Sequence, residues 1–142
     1  VLQETNLQPN HLKLEITETI IMDQAEAAIA TLTDLKSLGI QLQIDDFGTG
    51  YSSFSYLHRF PIDNLKIDRS FITELGTSDD SYKIVQAIIT LAHSLGVTVT
   101  AEGIETKEQL ACLNAMGCDY GQGFFFARAM SQDEVRILLS PS

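Results

Sequence analysis

Hydrophobic and polar residues alternate with a period of two in four short stretches of this chain. Leu12, Leu14 and Ile16 are interleaved with Lys13 and Glu15. Ile40, Leu42 and Ile44 are interleaved with Gln41, Gln43 and Asp45. Leu65 and Ile67 flank Lys66, and Val97, Val99 and Ala101 alternate with Thr98, Thr100 and Glu102. Successive side chains of a strand point to opposite faces. The pattern therefore predicts strands over Leu12–Ile16, Ile40–Asp45, Leu65–Asp68 and Val97–Glu102, with a short fifth over Tyr120–Gly123. Between them the apolar period lengthens to that of a helix. One helix opens at Asp23, carries Ala25, Ala28, Ile29, Leu32, Leu35 and Leu38 on one side, and is closed by Gly39. A short one near Ser53–Arg59 stops at Pro61. Another runs from a cap at Asp79 or Asp80 to Leu95, with Gly96 behind it. Thr106 starts the next, with Glu108 and Gln109 in its first turn, and it ends near Gly117. A last helix covers Ser131–Leu139, with Ser131 and Glu134 at capping-box spacing. Strands alternating with helices of this length predict crossover units and a parallel sheet.

The phase of the alternation carries more than the elements themselves. A parallel sheet with helices on both faces reads as near-continuous hydrophobic runs, and these strands do not. One face is apolar and packs on helices. The other carries Glu15, Asp45, Lys66 and Glu102 near the carboxyl ends of successive strands, the end at which parallel α/β folds bind ligands. In a closed barrel that face is the inner wall. Carboxylates converging on one mouth repel each other and are costly to desolvate, and a hard divalent cation relieves both problems. The adjacent pair Asp45–Asp46 suits two ions about 3.5–4 Å apart, one carboxylate bridging while its neighbour serves the second ion. The plainer alternative for each acid is a solvated strand end or a salt bridge to Lys66.

Composition narrows the classes. With 142 residues, 44% apolar and 20% charged, the chain has the length and balance of one globular domain. Its net charge of -10, from 19 acids against 9 bases, argues against a nucleic-acid polymer or an anionic membrane surface as partner, since Lys and Arg supply both attractions. No apolar run approaches the ~20 residues of a membrane helix, and no secretory signal is visible. Cys112 and Cys118 are read as two free thiols of a cytoplasmic protein. The chain begins at Val1, so an excerpt of a longer protein is expected. Other motifs are weaker. Gly48-Thr49-Gly50 is either a phosphate-approaching loop or a turn. Asp46-Phe47-Gly48 matches the kinase metal triplet without a kinase catalytic loop before it. His11, His58 and His93 are too scattered for a zinc site. Phe124-Phe125-Phe126 reads as core or mouth packing.

Taken together, Leu14-Glu15-Ile16-Thr17-Glu18, the run from Ile44 through Asp45-Asp46-Phe47-Gly48-Thr49-Gly50-Tyr51-Ser52-Ser53, Leu65-Lys66-Ile67-Asp68-Arg69-Ser70-Phe71, Ala101-Glu102-Gly103-Ile104-Glu105 and Gly121-Gln122-Gly123-Phe124 closely resemble the EAL domain, in family order and over essentially the whole chain. The resemblance implies a TIM-like (β/α)8 barrel that hydrolyses cyclic di-GMP to linear pGpG with Mg2+ or Mn2+, two ions being expected. Carried over by motif, Glu15 and Asp45 are ligands of one metal, with Asp45 bridging. Asp46 serves the second, and Glu102 lies there as ligand or proton acceptor. Lys66 orients or stabilises the attacking hydroxide, with Glu105 and Gln122 in the surrounding shell. Glu18 holds the Asp-Asp loop, which in this family also takes part in dimer contacts, and Phe47, Gly48, Thr49 and Gly50 form the loop beside the substrate.

The family's Glu-Ala-Leu motif and its asparagine ligand are absent from the sequence, and Ala129 stands where the family often has proline. Residues 1–142 are therefore expected to be a partial EAL domain, about the last five of eight β/α units. It is expected to be a poor enzyme alone, with sensor or GGDEF domains upstream in the parent protein. Two other readings differ in class: a non-hydrolysing EAL receptor for cyclic di-GMP, and, setting the resemblance aside, an enolase-like barrel with Lys66 as base.

Overall fold

The computed structural model describes residues 2–23, 25–50 and 57–139. A short helix α1 (Leu2–Thr5) and a 3-10 turn (Pro9–His11) lead into β1 (Lys13–Thr17). There follow α2 (Glu18–Asp23), α3 (Ala25–Ser37), β2 (Gln41–Phe47), β3 (Asn64–Ile67), α4 (Arg69–Thr73), α5 (Asp79–Ser94), β4 (Thr98–Glu102), α6 (Lys107–Ala115), β5 (Tyr120–Gln122) and α7 (Gln132–Leu139). The five strands form one sheet, all parallel, in the order β1-β2-β3-β4-β5.

The sheet is strongly curved. In a flat sheet β1 and β5 would lie about 19 Å apart, at ~4.8 Å per strand. Yet the Lys13 ammonium of β1 lies 6.0 Å from the centre of the Tyr120 ring of β5. The two edge strands therefore face each other across a polar concave side. The convex side carries Leu42, Ile44, Leu65, Ile67, Val99 and Ala101, all essentially inaccessible, packed with Ile21, Leu32, Val85, Ile89 and Leu113. Burying that apolar surface supplies the main drive for folding.

Most elements match the sequence reading, and their boundaries show local causes. Gly39 and Gly96 end α3 and α5 in the left-handed region, at φ 86° and 73°. The Thr106 side chain caps α6, and Gln109 reaches back to complete a capping box. Four features differ. The helical segment after β1 starts at Glu18, five residues earlier than expected, because Ile20–Ile21 lacks the spacing that marks the rest. Ser78, with extended backbone, caps α5 through its hydroxyl. Asp79 and Asp80 instead occupy the first turn, where they complement the helix dipole. Asp68 leaves β3 and caps α4, accepting the Ser70 N–H at 2.9 Å. Lastly, β2 runs on through Phe47, with a register shift between Ile44 and Phe47 against β3. The short helix expected near Ser53–Arg59 falls largely outside the described residues.

Candidate metal centre and substrate cleft

Four of the five strands place a charged side chain on the concave face at its carboxyl end. Lys66, on the central strand β3, is nearly inaccessible, and its ammonium is shared among three carboxylates. It donates to Asp45 Oδ1 at 3.0 Å, to Glu15 Oε2 at 3.2 Å and to Glu102 Oε1. Burial opposes its charge, but the hydrogen bonds to Glu102, Asp45 and Glu15 outweigh that and hold the amine well above the ordinary lysine range. Gln43 Nε2 donates to Glu15 Oε1 at 3.3 Å, and Gln122 Nε2 donates to Glu102 Oε1 at 2.7 Å, so both outer carboxylates are fixed from the neighbouring strand. Further down the same wall, Thr100 donates to Asn64 Oδ1 at 3.0 Å and Asn64 donates to Thr98 at 2.9 Å.

The register shift in β2 explains how two consecutive aspartates serve one site. In an even strand, neighbours face opposite ways; an irregularity re-aims one of them. Asp46 has φ 56°, unusual for a residue with a side chain, and its N–H donates to Asp45 Oδ1 at 3.0 Å. As a result Asp45, Asp46 and Glu102 each offer a carboxylate oxygen within 4.8 Å of the other two. Three hard oxygen donors converging from two strand ends fit a Mg2+- or Mn2+-type ion. The structure does not bring Glu15 into that cluster; it stands beside it, tied to Lys66 and Gln43. Four carboxylates thus gather around one ammonium that pairs with three of them, an imbalance that a divalent cation relieves.

The loop after β2 is braced from below. Glu18, 1% exposed, accepts the Gly48 N–H at 2.8 Å, and Thr49 folds back, its N–H and hydroxyl reaching the Asp46 carbonyl at 3.3 and 2.8 Å. The N–H groups of Gly48 and Thr49 are thus committed internally and do not face a phosphate, one of the two roles the sequence left open for this loop. Gly48 is required here: φ is 98°, and a Cβ would lie 2.8 Å from the Phe71 ring. Phe47, expected in the loop, is the last residue of β2, and its ring is buried in the core. Tyr51 lies outside the described residues.

Beside the cluster opens a cavity of about 640 Å3 whose lining includes Glu102, Glu105 and Gln122. Glu105 is exposed there, and its backbone N–H is held by Gln109 Oε1 at 2.8 Å. Gln43, Asn64, Thr98 and Thr100 complete the polar wall; the alternation contained all but Asn64, which precedes the expected third strand, but as uncharged residues they did not stand out. Among the described residues no helix is long and apolar enough to cross a membrane.

Comparison with known proteins places this geometry. The family model of the EAL domain matches residues 1–129. MucR of Pseudomonas aeruginosa, a bifunctional diguanylate cyclase/cyclic di-GMP phosphodiesterase, is 45% identical over 130 residues, 92% of this chain and 19% of that protein. NbdA of the same organism, a cyclic di-GMP phosphodiesterase, is 46% identical over 129 residues, 91% of this chain and 16% of that protein. The chain thus spans less than a fifth of these relatives' length. Among solved structures, the PaMucR phosphodiesterase in complex with c-di-GMP aligns with a TM-score of 0.91 at 44% identity, covering 94% of this chain and 54% of that one. The manganese/cy-diGMP complex of Klebsiella pneumoniae BlrP1 aligns at 0.83 and 36%, covering 89% and 32%. The curved five-stranded sheet is accordingly of the TIM-barrel type of these neighbours, and its acidic mouth lies at the carboxyl ends of the strands. A match over nine-tenths of its length makes this chain a member of the EAL domain family.

Proposed function

We propose that this chain carries the catalytic face of a metal-dependent phosphodiesterase that hydrolyses cyclic di-GMP to linear pGpG in bacterial second-messenger signalling in the cytoplasm. The observation that carries the reading is the juxtaposition of Asp45, Asp46 and Glu102 with the Lys66 ammonium at the mouth of the sheet. Glu15 and Asp45 would hold one Mg2+ or Mn2+ ion and Asp46 and Glu102 a second, Asp45 serving both. Such ions supply activation of water near neutral pH and offset the charge of the phosphodiester. The chain's own residues do the positioning. Lys66, kept cationic by its three partners, orients the attacking oxygen and balances charge developing on the phosphate. Gln122 fixes Glu102 so that one carboxylate oxygen is aimed at the site, available to accept the proton of the attacking water. Glu18 keeps the Asp45–Asp46 turn rigid by holding Gly48. Glu105 lines the cleft where the nucleotide would lie.

We further propose that residues 1–142 are part of an EAL barrel, five of eight units, joined in the parent protein to sensor or GGDEF segments and paired as a homodimer. The edges of β1 and β5, unpaired among the described residues, support this, as does an apolar groove of about 400 Å3 beside β1, lined by Ile16, Ile20, Ile21, Ala28 and Leu32. Alone, Val1–Ser142 should associate through those edges and turn over poorly; its solution mass and activity measure this. The decisive experiment incubates the protein that carries this chain with cyclic di-GMP and Mn2+ and follows pGpG by chromatography and mass spectrometry. Metal-dependent appearance of pGpG is expected. Tight binding of the nucleotide without turnover would instead establish a receptor.

A further inference from the structure

We infer that Gln43 is a positioning residue for the metal centre: its side-chain amide holds Glu15 at the place from which that carboxylate serves an ion. This deepens the metal-dependent reading of the chain and rests on it. Gln43 lies on β2, two residues before Asp45 and on the same concave face, and is 3% exposed. Parallel pairing sets it beside Glu15 of β1 on one side and Asn64 of β3 on the other. A primary amide is costly to bury unless its hydrogen bonds are met inside the protein. Asn64 is committed away from Gln43, since it accepts from Thr100 and donates to Thr98, both on β4. Gln43 turns the other way and donates to Glu15 Oε1 at 3.3 Å.

That bond matters because Glu15 is the most open of the three carboxylates on Lys66. Its side chain is 48% exposed, against 22% for Asp45 and 17% for Glu102. Lys66 and Gln122 both meet Glu102 at Oε1. Glu15 is instead anchored at both oxygens, by Gln43 at Oε1 and by Lys66 at Oε2. Lys66 has two further carboxylates, so its bond to Glu15 Oε2 is the one that can be given up to a cation. Gln43 then still keeps Glu15 by Oε1. Without it, a half-exposed flexible side chain would have to be ordered at the moment of binding.

The residue type suits the task. An amide donates a hydrogen bond without bringing charge. A lysine or arginine at position 43 would repel the ion, and a glutamate would add a fifth carboxylate to the four already gathered at the mouth. Hydrogen bonds that orient a metal ligand are worth about 10–100-fold in metal affinity or activity.

The test titrates Mn2+ alone into the protein that carries this chain and reads the free ion by electron paramagnetic resonance. Glu15→Ala marks the bound Mn2+ whose affinity depends on that carboxylate. In Gln43→Met, which keeps the reach of the side chain but donates nothing, the Kd of that ion should rise about tenfold or more. Gln43→Asn keeps an amide on the wall but draws it back from a bond already 3.3 Å long, so it should show the same loss; it also serves if the Met variant fails to fold. Added to Glu15→Ala, Gln43→Met should weaken binding no further, because the two act through one contact. Urea unfolding without metal reads stability separately. Lower stability with unchanged Mn2+ affinity makes Gln43 merely structural and overturns the inference. So does tighter Mn2+ binding in the variants, or a loss as large in the Glu15→Ala background as in wild type. Wild-type protein that binds no Mn2+ overturns the metal-dependent reading and this inference together.

Discussion

The two ends of the sheet both carry aspartates, and they treat them differently. At the amino end, each carboxylate is fully used. Asp63, just before β3, accepts the Leu42 N–H of β2 at 2.8 Å and pairs with Lys36 at the end of α3. Asp119, just before β5, accepts the Val99 N–H of β4 at 2.8 Å and meets His93 at the end of α5, also at 2.8 Å. The device is the same in both units: an aspartate preceding one strand ties the start of the preceding strand to the helix that leads into it. Each such acid has a basic side chain and a backbone donor. At the carboxyl end, three carboxylates meet Lys66 alone, and a fourth, Asp46, clusters with two of them. An acid at a strand end is thus a staple when its charge is matched within the fold, and a ligand site when it is not.

That contrast can be broken or sharpened. The largest effect is expected at the mouth. Asp45→Ala or Lys66→Ala, in the protein that carries this chain, should reduce cyclic di-GMP hydrolysis by a hundredfold or more. Activity within a few-fold of wild type in either variant would put the centre elsewhere. The charge imbalance also predicts that saturating Mn2+ raises Tm by several degrees, since an ion that binds only the folded state stabilises it by mass action. That rise should be lost in Asp46→Asn and kept in Asp63→Asn; calorimetry with and without the metal reads both.

At the opposite end the effect is on stability. Asp63→Ala leaves the Leu42 N–H without its acceptor and Lys36 without its partner, which should cost about 1–3 kcal/mol in urea unfolding. The smallest effect is a pH dependence at Asp119. Burial works against its ionisation, but the His93 and Val99 donors outweigh that and hold the carboxyl below its ordinary value. A carboxylate with a depressed folded-state pKa contributes stability above its unfolded pKa and loses it as pH falls through the folded one. Asp119→Asn should therefore be less stable than wild type near neutrality, and the difference should shrink as pH falls below the ordinary carboxylate range.

The same contrast explains what the sequence made legible. Glu15, Asp45, Lys66 and Glu102 stood out because charge interrupts apolar alternation, and the structure has all four on one face, in contact through Lys66. The succession of strands and helices was equally plain, because period two and period 3.6 separate cleanly. Asp63 and Asp119 were invisible: each sits in a polar turn where an aspartate is ordinary, and its partners lie 20–27 residues away. The early start of α2 was hidden because Ile20 and Ile21 are adjacent rather than spaced along a helix face. Ser78 was passed over for the acids beside it, since composition alone does not show which of three polar residues has extended backbone.

The left-handed backbone at Asp46 limits which substitutions this fold can accept there. Few residue types tolerate that conformation: glycine readily, asparagine and aspartate with modest cost, β-branched and bulky residues poorly. Among these only aspartate brings a negative charge. Conformation and chemistry therefore select the same residue by independent filters. A saturation library at position 46 should separate them, with Gly and Asn variants abundant in a screen for soluble protein and only the parental Asp surviving a screen for turnover. Glutamate, which conserves charge but not backbone preference, should fail the first filter before it meets the second.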